Sequence, residues 1–127
     1  MSEKPMREPY AVVHFDISGP DDKRLRRFYG DLLEWEVVSK GPGYALVQTP
    51  GGLRGGIVEA ELPAVTLGVV VPDLEQALRR AAELGGEVVM PATDNGWVLK
   101  AQVKDPAGNV LTMIQGSATG DGEEEAR

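Results

Sequence analysis

Hydrophobic and polar positions alternate early in the chain, and the pattern recurs about fifty residues later. Alternation over Ala11–Ile17 predicts a strand that turns Val13, Phe15 and Ile17 to one face. A helical pattern follows, with apolar side chains at the i, i+3, i+4 and i+7 positions: Leu25, Phe28, Tyr29 and Leu32. We therefore expect a strand followed by a helix that begins near Asp21, ends near Leu33 and buries those four side chains.

The second occurrence of the pattern retains the turn residues as well as the periodicity. When His14–Leu33 is aligned with Thr66–Gly85 without a gap, the Pro-Asp pair at 20–21 falls on the pair at 72–73. The same helical spacing returns at four apolar positions, Leu74, Ala77, Leu78 and Ala81. This predicts a second helix over Asp73–Leu84 with Asp73 at its N-cap. Unrelated strand-helix-strand units share periodicity but need not share turn residues. We interpret the match as an internal duplication.

Further strands are predicted after each helix. In the first copy they are Trp35–Ser39, Tyr44–Thr49 and a strand that starts with small residues after a turn at Gly51-Gly52. In the second copy they are Glu87–Met90, Trp97–Val103 and Asn109–Gln115. Between the first two of these, Pro91–Gly96 is expected to be a polar loop at the rim of a cavity. Each copy therefore has the order βαβββ, and the predicted fold class is α+β with two tandem modules.

The predicted domain organisation is a single domain at 11–116, with module one at 11–60 and module two at 64–116. Residues 1–10 are charged and contain two prolines, which favours a flexible N-terminus. Residues 117–127 are rich in Gly and Glu, which predicts a disordered acidic tail.

Composition limits the classes of partner. The apolar fraction of 42% and the charged fraction of 26% are those of an ordinary globular protein. A net charge of −7 disfavours nucleic acid and anionic membranes as partners. The chain has no cysteine, which excludes disulfides and thiolate catalysis. No apolar run approaches the ~18 residues of a spanning segment, so we expect a cytoplasmic protein.

One face of the first predicted helix is basic. It carries Lys23, Arg24, Arg26 and Arg27. The simplest interpretation is a solvated helix face.

The two βαβββ modules carry specific motifs: a histidine in the first strand, the segment FYGDLLEWEV, and KDPAGNVLTMIQ near the end. With these motifs the chain resembles the vicinal oxygen chelate superfamily over residues 11–116. That superfamily includes glyoxalase I, the bleomycin-resistance proteins, the fosfomycin-resistance enzymes and the extradiol dioxygenases. The resemblance implies four curled strands per module, a half-barrel with a central cavity between the modules, and a homodimer. It also implies that many relatives hold a divalent metal in the cavity.

The resemblance places metal ligands on the first and last strands of each module. His14 matches the first-strand ligand of module one. The other three family positions fall on Gly56, Thr66 and Thr112. A catalytic divalent site generally needs about three His, Asp or Glu ligands. We therefore predict no metal and no other cofactor.

A metal site at His14 stays open as an alternative. His14 and Asp16 share a strand face but need a third ligand. That ligand would have to come from Glu59, Gln48 or Gln115, and only if a strand register differs by one residue.

The cavity face that the resemblance implies is mostly apolar, which suits a small organic ligand. Its predicted ligand-binding residues are Val12, Thr66, Gly68, Trp97, Val110, Thr112 and Ile114. His14 and Asp16 are the candidate catalytic residues, because a His–Asp pair can exchange protons near neutral pH. A hydrogen-bonded interior histidine is the simpler alternative.

Three functions remain open at this point. We expect a metal-independent protein of the glyoxalase/bleomycin-resistance type that binds a small organic molecule in the cavity. The first alternative is an enzyme, a lyase, isomerase or dioxygenase, using a divalent metal at His14 or metal-free acid–base chemistry by His14 and Asp16. Glyoxalase I proper is disfavoured, because its ligand set is missing. The second alternative is a structural or regulatory dimer without a ligand.

Overall fold

A computed structural model of the chain describes residues 8–94, 96 and 98–116. The described residues form βαβββ twice in succession. The strands are β1 (Val12–Gly19), β2 (Glu36–Ser39), β3 (Tyr44–Gln48), β4 (Arg54–Glu59), β5 (Ala64–Val70), β6 (Glu87–Asp94), β7 (Val98–Lys104) and β8 (Val110–Gly116). The helices are α1 (Asp22–Leu33) and α2 (Leu74–Glu83). The predicted α+β fold of two tandem βαβββ modules is confirmed.

The chain divides into two compact units. The first unit is Val13–Leu67, and the second contains the described residues before and after it. The division falls within β5 and after the first residue of β1. The predicted acidic tail at 117–127 lies outside the described residues, as do the first seven residues of the predicted flexible N-terminus.

The first unit places its strands in the order β2-β3-β4-β1. β4 runs antiparallel to β3 and parallel to β1. The parallel pair requires a crossover connection, which α1 provides after β1. Its core cluster is formed by Phe15, Ile17, Ala45, Val47 and Ile57. Because successive side chains of a strand point to opposite faces, His14 and Asp16 lie on the face opposite this core. The predicted alternation of the first strand is confirmed.

The predicted buried face of α1 is half wrong. Leu25 and Tyr29 pack against the core, but Phe28 is 55% and Leu32 is 62% exposed. Asp22 is instead buried at the helix start. The helix is rotated about its axis relative to the predicted face, so that the side carrying Asp22 turns towards the sheet.

The second unit contains the neighbouring strands β8-β7-β6, which run antiparallel. Its core cluster is formed by Val71, Leu74, Leu78, Ala101, Val103 and Met113. Among the core residues, Leu74 and Ala101 are fully buried. Strand alternation turns Thr112 to the face opposite Met113.

β6 is longer than predicted. We expected it to end at Met90 and to be followed by a loop, but it continues to Asp94. Its pairing with β7 shifts register twice, between Val88 and Met90 and between Met90 and Thr93. β6 is the last strand in the sheet order, and an edge position tolerates Pro91, which has no N–H to donate.

Both helices begin at the aspartates of the repeated Pro-Asp turn. The Asp21 carboxylate accepts a hydrogen bond from Arg24 N at 3.3 Å, and the Asp73 carboxylate accepts one from Gln76 N at 3.1 Å. Each satisfies a backbone N–H that the first helical turn leaves without a partner. The predicted helix starts are confirmed. None of the helices formed by the described residues combines the length and apolar character needed to cross a membrane.

The DPAGN segment forms a turn organised by Asp105. Its Oδ1 accepts hydrogen bonds from Ala107 N and Asn109 N, both at 2.9 Å. Its Oδ2 accepts one from Asn109 Nδ2, also at 2.9 Å. These bonds, and first among them the one from the Asn109 side chain, lower the pKa of Asp105 below its usual value. The motif therefore fixes the turn that leads into β8.

Candidate functional site

The His14 and Asp16 side chains form a pair on the open face of β1. A hydrogen bond joins His14 Nε2 and Asp16 Oδ1 at 3.1 Å. The side chains remain 32% and 36% exposed, so each keeps one side available to a ligand. The structure thus brings together the two predicted catalytic residues, and their distance permits direct proton exchange.

The strand register sets the surroundings of this pair. Asp16 is aligned with Gly56 on β4, and His14 is aligned with Arg54. Arg54 is aligned in turn with Gln48 on β3. Arg54 therefore lies between His14 and Gln48 in the row of aligned residues on this face.

The lack of a side chain at Gly56 makes room for two neighbouring side chains. A Cβ added at this position would lie 2.8 Å from Asp16 Oδ1 and 3.1 Å from Tyr44 Cε1. Real Cβ atoms essentially never show the first distance and seldom show the second, so the absence of a side chain permits the carboxylate and the phenol ring to converge. The site therefore consists of His14, Asp16 and Tyr44 around Gly56.

Tyr44 was not among the residues predicted for the site. A signal was present, since Tyr44, Leu46 and Gln48 alternate on one face of β3. Placing that face with His14 requires the β3-β4-β1 strand order, which the chain pattern alone does not give.

Burial raises the pKa of the Tyr44 hydroxyl above 10.0, and the negative charge of Asp16 adds to the shift. The phenol therefore stays protonated at neutral and mildly alkaline pH. In that state it can donate a hydrogen bond to an oxygen of a ligand.

The influence of Asp16 on Tyr44 can be measured directly. Asp16→Asn removes the negative charge but not the burial, so the pKa of Tyr44 should fall yet stay above its usual value. Phenolate absorbance followed across alkaline pH reports the change, and Tyr44→Phe identifies which of the three tyrosines titrates. An unchanged alkaline titration in Asp16→Asn would contradict the assigned geometry.

The remaining predicted ligand-binding residues have varied environments. Val12 is 46% exposed, Gly68 is buried, and Thr66, Val110 and Ile114 are half-buried. Thr112 is 7% exposed, and its hydroxyl accepts a hydrogen bond from Gln102 Nε2 at 3.0 Å. Trp97 lies outside the described residues. These assignments stay predictions.

The residues present do not fit the divalent metal that the superfamily often holds. Within the described residues, no three His, Asp or Glu side chains are grouped so as to hold a metal ion. His14 and Asp16 supply two donors, and the other family positions, Gly56, Thr66 and Thr112, supply no carboxylate or imidazole.

Two of the alternative third ligands have a different role. Glu59 Oε1 accepts a hydrogen bond from Asp22 N at 3.4 Å, and Gln115 Oε1 accepts one from Leu74 N at 2.7 Å. Each residue thus binds the first backbone N–H of the helix in its own module, Glu59 from the face opposite His14 and Gln115 from the face opposite Thr112. For Glu59 and Gln115, the register is therefore not shifted in the way that a metal site would require. Gln48 does lie on the face of His14, but Arg54 lies between the two in the row of aligned residues.

Solved structures confirm the fold. A glyoxalase/bleomycin resistance protein/dioxygenase superfamily member from Vibrio splendidus matches with a TM-score of 0.65 at 19% identity, covering 84% of this chain and 98% of that one. Methylmalonyl-CoA epimerase from Mycobacterium tuberculosis matches at 0.63 and 18%, covering 91% of each chain. The Mn(II)-bound glyoxalase from Novosphingobium aromaticivorans matches at 0.62 and 16%, covering 82% of this chain and 38% of that one. The tandem βαβββ fold is therefore that of the vicinal oxygen chelate superfamily.

A sequence comparison gives the family within that class. The glyoxalase-like domain family matches residues 12–114, and the chain belongs to it. No significant match is found among curated proteins. The suspected superfamily membership is confirmed.

Proposed function

We propose that the protein binds a small organic molecule at the open sheet face around His14, Asp16 and Tyr44, without a bound metal. The observation that carries the proposal is the His14–Asp16 pair, held at 3.1 Å and about one-third exposed on a face that the core does not use. A histidine with only a packing role would be expected to be more deeply buried.

The chemistry of the face suits a small, partly polar ligand with at least one oxygen. The protonated phenol of Tyr44 supplies a donor, and the carboxylate of Asp16 supplies an acceptor. Leu46 and Val58, half-buried on the same face, supply apolar surface. A few converging polar groups on an apolar background are typical of small-molecule sites. A homodimer in the cytoplasm belongs to the same proposal.

Metal-free acid–base catalysis is the second candidate function. It is favoured by one observation, the direct hydrogen bond between His14 and Asp16, because a carboxylate that orients an imidazole is a common arrangement for a general base. The two candidates differ in what His14→Ala does. Turnover by the base should be abolished, whereas a binding protein should lose about one hydrogen bond, roughly 0.5–1.5 kcal/mol.

The proposal can be tested through the single histidine of the chain. Tag-free protein should give one set of imidazole CH signals in NMR. We expect these signals to shift saturably with at least one member of a panel of small carbonyl and phenol compounds. Tyr44→Phe should weaken that binding, and the shifts should be independent of added Ni²⁺, Zn²⁺, Mn²⁺ or Fe²⁺.

Elemental analysis supplies the control for the metal. The proposal expects no stoichiometric metal in the native protein or after dialysis against those four ions. Near-stoichiometric metal that disappears in His14→Ala would overturn the metal-free site. Imidazole signals that no compound moves would favour a ligand-free structural role instead.

A further inference from the structure

A surface groove lies between α1 and β2, away from His14. It has a volume of about 570 Å³, which is within the usual range of small-molecule sites. Its lining includes Lys23, Arg26, Arg27, Asp31, Trp35 and Val37. Trp35 and Val37 pack against the core cluster that contains Phe15, so the groove is on the helix side of the sheet. His14 and Asp16 are on the other side.

Two of the three cations in the groove lack a partner in the described part of the chain. Arg26 Nε is paired with Asp22 Oδ2 at 3.2 Å, and that carboxylate is itself buried. Lys23 and Arg27 form no ion pair with a described residue. They are one helical turn apart, about 6 Å along the axis, and line the same groove. A single carboxylate or phosphate group can be contacted by both.

The floor of the groove is apolar and rigid. The Trp35 ring stacks on Tyr29, with centroids 5.8 Å apart and planes inclined by 12°. It also meets Phe15 at 5.7 Å. Because its rings are held by these contacts, Trp35 presents a fixed surface beside Val37. Such a surface favours a ligand with an aromatic or branched apolar body.

Asp31 restricts the charge of the ligand. It lines the same groove one turn beyond Arg27, but no ion pair joins the two side chains. A second negative charge on the ligand would approach this carboxylate and be repelled. The groove is therefore suited to a monoanion whose far end is neutral.

From this arrangement we propose that the groove binds a small organic monoanion of the aryl carboxylate class. Its carboxylate lies between Lys23 and Arg27, and its ring rests on Trp35 and Val37. A protein with a net charge of −7 repels anions in general, so binding depends on this local arrangement. An ordinary solvated helix face would lack the apolar floor and would not discriminate between anions.

Benzoate is a suitable probe, with Trp35 fluorescence as the readout. Trp97→Phe in the full chain leaves Trp35 as the only tryptophan. We expect a saturable change with a dissociation constant of about 1 mM or lower. Acetate lacks the ring and benzyl alcohol lacks the charge, so both should bind at least tenfold more weakly. Equal responses to acetate and benzoate, or no saturable response to benzoate, would overturn the proposal.

Charge variants on α1 locate the bound anion. Lys23→Gln and Arg27→Gln should each weaken benzoate binding about fivefold, equivalent to ~1 kcal/mol. Arg24→Gln is the matched control, because Arg24 is exposed on the same helix but does not line the groove. Its dissociation constant should be unchanged. Equal weakening of benzoate binding by all three variants would indicate nonspecific attraction and would contradict the proposed position of the carboxylate between Lys23 and Arg27.

Asp31→Asn tests the selection of a monoanion. It should improve the binding of phthalate, which carries two carboxylates, by several-fold more than that of benzoate. Equal improvement for both ligands would contradict selection by Asp31. His14→Ala should leave all of these dissociation constants unchanged. This proposal and the proposed site around His14 are therefore tested independently.

Discussion

Replacing Gly55 with alanine should lower the free energy of unfolding by about 1–3 kcal/mol. A Cβ at this position would overlap the ring atoms Cζ and Cε1 of Phe15, which is aligned with Gly55 across the β1–β4 pair. Phe15 is 8% exposed and packs against Trp35, so its ring has little room to withdraw. The added methyl group therefore forces a change in the core itself.

Gly51→Ala is the control for this substitution. No atom lies within 4 Å of a Cβ added at Gly51, and its backbone φ is not in the left-handed region. Urea denaturation of both variants, with Trp35 fluorescence as one probe, should show a clear loss for Gly55→Ala and a change within about 0.5 kcal/mol for Gly51→Ala. Equal stability of the two variants would show that the Phe15 ring adapts without loss.

The fold was predictable because its local signals agree with one another. The Pro-Asp pair at 20–21 recurs at 72–73, and each aspartate caps a helix within one residue of the predicted start. The alternation of Phe15 and Ile17 with His14 and Asp16 placed the core and open faces of β1 correctly. Local turn chemistry and periodicity are enough for these features, because neither depends on which strands become neighbours.

Features that depend on tertiary packing were harder to predict from the sequence. Phe28 and Leu32 fit the helical period, yet the helix turns the side with Asp22 towards the sheet, where that residue pairs with Arg26. β6 continues through Pro91 because it is an edge strand, and edge positions cannot be read from one chain's pattern. In both cases the tertiary arrangement outweighed the local preference.

The candidate site shows the same division. The pair of His14 and Asp16 followed from strand alternation alone, but Tyr44 enters the site through two strand pairings in succession. The assignment of Gly56 to a family metal position came from the resemblance. Its role between Asp16 and Tyr44 required the register and the distances.

Gly56→Glu should destabilise the protein in the absence of metal by about 1–3 kcal/mol. The new side chain would crowd Asp16 Oδ1 and the Tyr44 ring, and its carboxylate would lie beside that of Asp16. Two carboxylates at such short range repel each other. Gly51→Glu introduces the same charge at an open turn and should leave stability nearly unchanged.

The same variant should gain a response to divalent metal. It adds a third donor beside His14 and Asp16, which meets the approximate minimum for a Zn²⁺ or Ni²⁺ site. A metal present at a hundredfold excess over its dissociation constant would restore about 2.7 kcal/mol. Thermal unfolding with and without Zn²⁺ should show the recovery in Gly56→Glu and not in the native protein, in Gly51→Glu or in the His14→Ala, Gly56→Glu double variant. If Zn²⁺ also stabilised the double variant, the metal would be bound elsewhere. If Zn²⁺ stabilised no variant, the lack of a carboxylate at position 56 would not explain why this site differs from those of metal-binding relatives.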